Sequence, residues 1–465
     1  MAIPTEEASA AAAYAARTRE LLQGPVLRTL LRLSAPNLLN LAALAIIITF
    51  DGLYVGRLGP DALAGVSLAF PLLMLMQHMS AGGLGGGVAS AVARALGAGR
   101  RDFANAIAMH ALVVAAAMAL LFAVAELLLA RRLFRAIGGD GAVLEAAVTY
   151  SQAIFAGGAA LWVVNVLAAV VRGTGHMILP AVVLFGCAVT HAAFSPLLIF
   201  GYGDLPPLGV AGVGTGLMLS FALGALVLIG YLRSPRALVR LDAAHLRPRR
   251  EVLAEILRVG APATLNTLFT NIGVILLTAV VSTFGSAAVA GFGMGVRVEY
   301  VLMPLTFVLG TSVVTMVGTN VGAGEIERAE RIAWVGAGCT FAVAALIGVG
   351  IALFPHAWIG LFTGDPAVLE VGATYARIVG PFYALFALGL ALYFAFQGGG
   401  RLFWPLTASA LRLVIAVAGG WAAIHWFGAG LRGFFAMIAA AFAAYGAVVA
   451  LALRAGTWYH ASKPG

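Results

Sequence analysis

Twelve long apolar segments follow one another along the chain, separated by short polar breaks. They cover roughly residues 34–57, 62–90, 104–129, 145–170, 177–201, 209–232, 256–283, 287–319, 331–354, 369–396, 402–426 and 431–453. A helix needs about 20 apolar residues to cross the hydrocarbon core of a bilayer. The alternating pattern of a membrane β-barrel is absent. The sequence therefore predicts an all-α polytopic membrane protein with twelve transmembrane helices.

Composition and charge agree with that class and exclude others. Hydrophobic residues make up 62% of the chain and charged residues 10%, whereas soluble domains average about 25% charged residues. The net charge of +9 indicates topology rather than nucleic-acid binding, because basic residues collect on the cytoplasmic side of membrane proteins. An even number of spans puts both termini on one side, and the arginine-rich segment 233–258 marks that side as cytoplasmic. A multi-pass inner-membrane protein is expected.

The chain contains two copies of one unit. Several fragments recur at a constant offset of 225 residues: 140–145 (DGAVLE) with 365–370 (DPAVLE), 97–99 with 322–324, Tyr150 with Tyr375, Gly173 with Gly398, Gly175 with Gly400, and Pro180 with Pro405. Six spans per copy give the two copies the same orientation, as in transporters built from parallel repeats with a binding site between the halves. The sequence predicts two six-helix lobes with pseudo-two-fold symmetry and a central cavity.

The repeat also gives the domain boundaries. We expect a cytoplasmic N-terminal segment at 1–33, a first lobe at 34–232, a basic cytoplasmic linker at 233–255, a second lobe at 256–453 and a cytoplasmic tail at 454–465. A closed pair of lobes is expected to work as a monomer.

Asp51 is the most informative single residue, because it lies about four turns into the first apolar segment. A carboxylate at such a depth costs about 2.5–3.5 kcal/mol or more, and intramembrane ionisable residues usually mark ion or substrate sites. The repeat supports a functional role, since Asp51 corresponds to Leu276 or Leu277 in the second copy. Glu299 is a second buried carboxylate, and its counterpart in the first copy is Met74.

Motifs in both copies resemble the multidrug and toxic compound extrusion (MATE) family over residues 30–453. In the first copy they are 51–59 (DGLYVGRLG), 62–71 (ALAGVSLAFP), 95–99 (ALGAG) and 171–175 (VRGTG). In the second they are 297–299 (RVE), 318–324 (GTNVGAG) with 327–329 (ERA), and 397–400 (QGGG). The resemblance implies two six-helix bundles that alternate between outward- and inward-facing states. It also implies export of organic, often cationic, amphipathic compounds driven by protons or sodium ions.

The chain departs from this family pattern in the fifth span. One branch of the family carries Asn-x-x-x-Asp-Pro there, whereas this chain has His191, Ser195 and Pro196. Asp51 and Asn165 match family residues in the first and fourth spans. Histidine titrates near physiological pH and could share a proton with Asp51, while a sodium cage prefers oxygen atoms. We therefore predict an ion-coupling set of Asp51, His191, Asn165 and Ser195, and favour protons over sodium.

The second copy supplies most of the predicted substrate residues. Glu299 and Arg297 are two residues apart and do not face each other on a helix, so each should contact another helix. The full predicted cavity set is Glu299, Arg297, Asn266, Asn271, Gln77 and Gln397. We expect no catalytic residues, metal or cofactor, because the histidines lack metal-ligand spacing and no phosphate-binding lysine motif follows the glycines at 82–87.

The sequence thus predicts a proton-coupled secondary exporter of organic, cationic amphipathic compounds, with small molecules and the lipid bilayer as its partners and no nucleic acid. Two alternatives stay open: a sodium-coupled exporter of the same family, and a lipid-linked oligosaccharide flippase of the wider superfamily. The intramembrane Arg297 and Arg412 would suit the flippase. A membrane-embedded enzyme is disfavoured.

Overall fold

The computed structural model describes residues 6–459 and the side chains of residues 15–459. Its main helices are α1 (Glu6–Gln23), α2 (Val26–Arg57), α3 (Pro60–Gly97), α4 (Arg101–Ala136), α5 (Gly141–Ala156), α6 (Gly158–Gly173), α7 (Ile178–Phe200), α8 (Val210–Arg233), α9 (Arg250–Ser282), α10 (Ser286–Gly322), α11 (Ile326–Leu353), α12 (Pro366–Gly399), α13 (Phe403–His425) and α14 (Gly430–Arg454). A one-turn helix, Pro355–Ile359, precedes α12. Residues 1–5 of the predicted N-terminal segment and residues 460–465 of the predicted cytoplasmic tail lie outside the described residues.

The prediction of twelve membrane spans is confirmed. Within the described residues, eleven helices are long and apolar enough to cross a membrane, and α5 with α6 forms a twelfth span bent by 49°. The bend lies at Gly157, where an added Cβ would meet the Met218 side chain at 2.6 Å. The glycine therefore lets α8 approach the bend closely, which is a common use of small residues in membrane helices.

The described helices form two compact units, which confirms the two-lobe fold class. Among the described residues, unit 1 contains Arg32–Gly260 and the residues before Leu22, and unit 2 contains Leu22–Leu31 and the residues from Ala261 onward. Each unit holds one copy of the repeat. The first turns of α9 belong to unit 1, while its remainder belongs to unit 2.

Residues that recur between the two copies have structural roles at loops and helix ends. Asp140 caps α5 by accepting a hydrogen bond from the backbone N–H of Gly141, and Asp365 caps α12 by accepting one from Ala367. Gly99 and Gly324 have φ values of 71° and 82°, a left-handed conformation that residues with a Cβ adopt at a cost. These matched pairs fix the turns of both units and leave unmatched polar residues as the better functional candidates.

The segment between α8 and α9 is anchored on unit 1. The backbone N–H of Arg249 donates to Nε2 of His110 over 2.9 Å, and Nε2 of His245 lies 2.9 Å from Oδ1 of Asp102. The predicted linker, 233–255, extends past the start of α9 at Arg250. The charged composition of residues 233–255 is typical of a linker, but the last of these residues form the first turns of α9.

His176 lies outside the spanning helices, in the turn between α6 and α7. Burial and the positive charge of Arg17 lower its pKa from 6.5 to about 4. Below pH 6.5 the unfolded chain therefore binds a proton that the folded chain does not bind, and stability falls as the pH falls from 6.5 toward 4. A difference of one proton limits the loss to about 1.4 kcal/mol per pH unit, and the partial exposure of the ring lowers it further.

Thermal unfolding in detergent at pH 7 and pH 5 checks this expectation. The Tm of the wild type should fall on acidification, and His176→Gln should reduce that fall. His356→Gln is the matched control, because His356 is exposed and lies in the one-turn helix Pro355–Ile359 of unit 2. An equal acid-induced fall in the His176 variant and the wild type would contradict the assignment.

Candidate functional site

Unit 1 brings Asp51 of α2 into direct contact with His191 of α7. Oδ1 of Asp51 lies 2.6 Å from Nε2 of His191. Asp51 is 8% exposed and His191 is 1% exposed. A carboxylate and an imidazole at this distance form a strong, charge-assisted hydrogen bond whenever one of the two is ionised.

Ser195 completes a three-residue array behind the histidine. Its Oγ lies 2.6 Å from Nδ1 of His191, one helical turn away on the same face of α7. The array is closed on that side by α8, because any side chain at Gly216 would collide with Ser195. Asp51, His191 and Ser195 are called the coupling array below.

The hydrogen-bonding chemistry of the array accommodates two protonation states. When the imidazole is neutral, Nε2–H donates to Asp51 and the Ser195 hydroxyl donates to Nδ1. When the imidazole is charged, both ring nitrogens are donors, and Nδ1–H donates to the serine oxygen instead. The array can therefore gain a proton through rotation of one hydroxyl, without movement of a heavy atom.

Tyr54 holds the two helices of the array together. It lies one turn beyond Asp51 on α2, and its hydroxyl donates to the carbonyl oxygen of Ala192 on α7 over 2.7 Å. Its ring also makes an edge contact with Phe200, with ring centroids 6.5 Å apart. The sequence reasoning did not select Tyr54 as a functional residue, although its place in the family-like segment 51–59 is a usable signal.

Tyr150 on α5 is a second residue that the sequence reasoning missed as a site residue. Its hydroxyl is buried and has no hydrogen-bond partner among the described residues. The side chain also interacts electrostatically with Asp51. The repeat did not single it out, because Tyr150 recurs as Tyr375 and recurring residues are expected to be structural; in the structure Tyr375 donates to the Glu299 carboxylate of unit 2.

Asn165 does not join the coupling array. Its Nδ2 donates to Oγ of Ser80 over 2.9 Å and to Oε1 of Gln77 over 3.2 Å. The sequence placed Asn165 in the ion-coupling set and Gln77 in the cavity set, whereas the structure joins these two residues in one polar cluster. Their roles stay predictions. The cluster adjoins the π-helical segment Met79–Leu84, and such segments frequently occur at functional sites.

Glu126 is a further buried carboxylate in unit 1. It is 7% exposed, and the hydroxyl of Ser151 donates to its Oε1 over 2.5 Å. It lies on α4, while the coupling array lies on α2 and α7. The sequence reasoning did not select it.

In unit 2, Glu299 and Arg297 contact different elements: Glu299 contacts another helix, as expected, whereas Arg297 contacts the turn that precedes α12. The hydroxyl of Tyr375 on α12 donates to Oε1 of Glu299 over 2.8 Å. The guanidinium carbon of Arg297 lies 4.7 Å from the centroid of the Phe362 ring. Glu299 is only partly exposed, whereas Arg297 is exposed.

The other predicted cavity residues of unit 2 do not form one cluster. Nδ2 of Asn271 donates to the carbonyl oxygen of Thr267 over 2.8 Å. Oδ1 of Asn266 is buried without a hydrogen-bond partner in the described structure. Gln397 is 1% exposed and lies in the last turn of α12, away from the middle of the span. Of these three residues, Asn266 is the one whose side-chain oxygen is buried without a hydrogen-bond partner among the described residues.

Within the described residues, no group of three or more His, Cys, Asp or Glu side chains could hold a metal ion.

The MatE family model matches residues 36–197 and again 262–422. The chain belongs to the MATE family. The two matched ranges correspond to the two copies of the repeat, so both units of this MATE protein carry the family pattern.

Curated relatives agree with this membership. An FAD transporter of Shewanella oneidensis is 28% identical over 379 residues, which are 81% of this chain and 82% of that protein. A probable multidrug resistance protein, YoeA, of Bacillus subtilis is 27% identical over 360 residues, 76% of this chain and 77% of that protein.

Solved structures show the same fold. A MOP superfamily transporter from Pyrococcus furiosus superposes with a TM-score of 0.85 at 27% identity, over 94% of this chain and 97% of that chain. An outward-facing multidrug resistance MATE transporter gives a TM-score of 0.84 at 27% identity, with the same coverage. This MATE protein is therefore a multi-pass membrane transporter of the multidrug efflux type, and it is not an enzyme.

Proposed function

We propose that this MATE protein exports organic amphipathic compounds in exchange for protons, and that the coupling array binds the proton. The observation that carries the proposal is the 2.6 Å contact between the buried Asp51 carboxylate and the His191 imidazole, with Ser195 behind it at 2.6 Å. The two titratable groups are coupled, so their protonation belongs to the pair rather than to either residue.

The coupling follows from differential affinity. Protonation of the array from the outside favours the state that releases substrate, and deprotonation toward the cytoplasm restores the state that binds it. A ligand shifts such an equilibrium only by as much as its affinity differs between the two states. The array supplies a difference in proton affinity between the two states, because protonation changes the net charge of the array by one unit inside a low-dielectric span.

The composition of the array supports protons over sodium ions. Hard cations take several oxygen ligands, whereas one oxygen of Asp51 already faces a ring nitrogen. Replacement of the family's Asn-x-x-x-Asp pair by His191 and Ser195 leaves one carboxylate where that branch has two. Histidine is also the side chain whose unperturbed pKa is nearest to physiological pH.

We further propose cationic amphipathic compounds as substrates, a location in the inner membrane, and a working monomer. Both termini are cytoplasmic in this proposal, since seven arginines lie between residues 233 and 258 and basic loops stay on the cytoplasmic side. The predicted domain boundaries at 33, 232, 255 and 453 follow from the same topology.

Transport in liposomes tests the proposal. Purified protein is reconstituted, and export of a fluorescent organic cation is followed under an imposed pH gradient alone and under a sodium gradient alone. We expect export under the pH gradient and no gain from sodium. Export driven by sodium alone would contradict proton coupling and would indicate that oxygen atoms complete a metal site.

The flippase alternative is tested on the same liposomes. A labelled polyprenyl-pyrophosphate oligosaccharide is added to one leaflet, and its appearance in the other leaflet is followed with a membrane-impermeant quencher. We expect the rate of empty liposomes. Protein-dependent flipping, together with no export of the cation under either gradient, would replace the exporter by the flippase.

A further inference from the structure

Arg412 is a cationic side chain inside a membrane span of unit 2. It lies on α13 and is partly buried. Its Nη2 is 3.4 Å from the hydroxyl oxygen of Thr270 on α9. Among the described residues, no carboxylate oxygen lies within ion-pairing distance of its guanidinium. Glu299 on α10 interacts with Arg412 electrostatically but forms no direct ion pair with it. A charged side chain within a span is costly and usually functional.

The guanidinium rests on a fixed aromatic surface. Its central carbon lies 5.1 Å from the ring centroid of Phe386 and 5.4 Å from that of Tyr445. Both rings are nearly inaccessible, at 3% and 2% exposure. Tyr445 packs onto α12 at Gly389, where an added Cβ would lie 2.6 Å from the ring. The helices therefore hold the two rings in place before any ligand binds.

Most of the hydrogen-bonding capacity of Arg412 is unused. A guanidinium has five N–H donors in a planar fork that matches two oxygens of a carboxylate or phosphate. The single contact with Thr270 is long and occupies one donor. Contacts with aromatic faces position the cation but leave the N–H groups at the edge of the plane available.

The backbone of α13 is irregular next to this residue. The helix changes to a π-helical segment at Ile415–Gly419, one turn after Arg412. π-Helical segments are rare and occur frequently at functional sites. This local backbone feature is independent of the side-chain contacts and points to the same position on the helix.

The arrangement also occurs in only one copy of the repeat. At the offset of 225 residues, Arg412 corresponds to Cys187 and Phe386 corresponds to Leu161. An arginine needed merely to build a six-helix unit would be expected in both copies. The cation and its aromatic surface instead belong to unit 2 alone.

We propose that Arg412 is a substrate-binding residue that takes an anionic group, a carboxylate or a phosphate, of an organic amphipathic compound. The planar fork binds the anionic oxygens, while the two buried rings hold the guanidinium in position. The substrate range then extends from simple cations to compounds with an acidic group. The proposal rests on the proposed function only in that the chain transports organic compounds, and it does not depend on the coupling ion.

Calorimetric binding to the purified full-length protein in detergent tests the proposal. The probes are 2-naphthylacetate, 2-naphthyl phosphate and 2-(2-naphthyl)ethylammonium, which share an aromatic body and differ in charge. Loss of a charge-assisted pair should weaken binding of the two anions to Arg412→Gln by about 10- to 100-fold. Binding of the cation should not weaken. Arg412→Lys keeps the charge without the planar fork and should recover part of the affinity.

The matched control is Arg454→Gln, because Arg454 is an arginine of unit 2 whose guanidinium also lies over an aromatic ring, that of Trp334, at 5.4 Å, and it is exposed at the end of α14. It should bind all three probes as the wild type does. Unchanged anion binding in Arg412→Gln would overturn the proposal. Equal weakening for all three probes would also overturn it, since charge would then not be what the site recognises.

A second arm separates a free substrate from a lipid headgroup as the source of the anion. Binding of 2-naphthylacetate is repeated in nanodiscs of phosphatidylcholine with and without phosphatidylglycerol. Independence from phosphatidylglycerol supports a small-molecule substrate. Competition that is lost in Arg412→Gln assigns the anionic oxygens to a lipid headgroup and would overturn the substrate assignment. Failure of proton coupling is distinguishable, because binding is measured without a gradient.

Discussion

Replacing Asp51 with Asn should reduce proton-driven export by at least about 100-fold, which corresponds to the loss of about 3 kcal/mol of charge-assisted hydrogen bonding. The amide has nearly the same shape, and its oxygen still accepts a hydrogen bond from Nε2 of His191. The α2–α7 contact and the hydrogen bond from Tyr54 to Ala192 should therefore remain. The variant lacks only the carboxylate that gains and loses a proton.

The measurement is export of a fluorescent cation from liposomes at a fixed pH gradient, with protein amount and elution profile matched to the wild type. Asp61→Asn is the control, since Asp61 is exposed at the start of α3 in the same unit. That control should export at the wild-type rate. Wild-type export by Asp51→Asn under the same gradient would exclude the coupling array as the proton site.

Replacing Glu255 with Gln should destabilise unit 1 by about 3 kcal/mol, at the low end of the range for removing one partner of a buried ion pair. Glu255 lies in the first turns of α9. Its Oε1 accepts from Nε of Arg94 on α3 over 3.1 Å and from Nη2 over 2.8 Å. The side chain of Arg94 is only 8% exposed, compared with 21% for Glu255. The substitution therefore leaves a nearly buried guanidinium without its counter-charge.

Thermal unfolding in detergent measures this effect as a lower Tm. The control is Glu251→Gln, an exposed glutamate on the same helix, which should leave the Tm within error of the wild type. Arg258 also binds Glu255, with Nη2 3.0 Å from a carboxylate oxygen. The substitution therefore removes an ion-pair partner from both arginines. Equal Tm values for Glu255→Gln and Glu251→Gln would show that water replaces the carboxylate at little cost.

The spans could be predicted because a bilayer imposes a length and a polarity on every crossing helix. Helix ends were less predictable. The first span was expected from residue 34, but α2 begins at Val26, since Arg28 and Arg32 interrupt the apolar pattern without ending the helix. The bend at Gly157 was also not visible, because the apolar run continues through it and hydropathy carries no information about direction.

Individual site residues were predictable where burial itself is costly. Asp51 stood out for that reason, while its partner lies 140 residues away in sequence and was suggested by the family resemblance. The contact between Asn165 and Gln77 could not be derived, since polar residues on separate helices give no distance. Glu126 lies near the end of the predicted span 104–129, beside Arg131, Arg132 and Arg135, where its sequence position does not show that it is buried. The roles of the coupling residues stay predictions until transport is measured.

Asp51 is the member of the coupling array that is most exposed, and this bears on the net charge that each transport cycle moves across the membrane. The Asp51 side chain is 11% exposed and that of His191 is 0% exposed. In the proposed mechanism the proton therefore reaches the imidazole through the carboxylate, and the array takes up one proton per cycle. Exchange of one proton for one monovalent cation moves no net charge and depends on the pH difference alone. A zwitterion whose acidic group is held by Arg412 would be exchanged with a net inward positive charge. An interior-negative voltage would then add about 2.3 kcal/mol per 100 mV to its export.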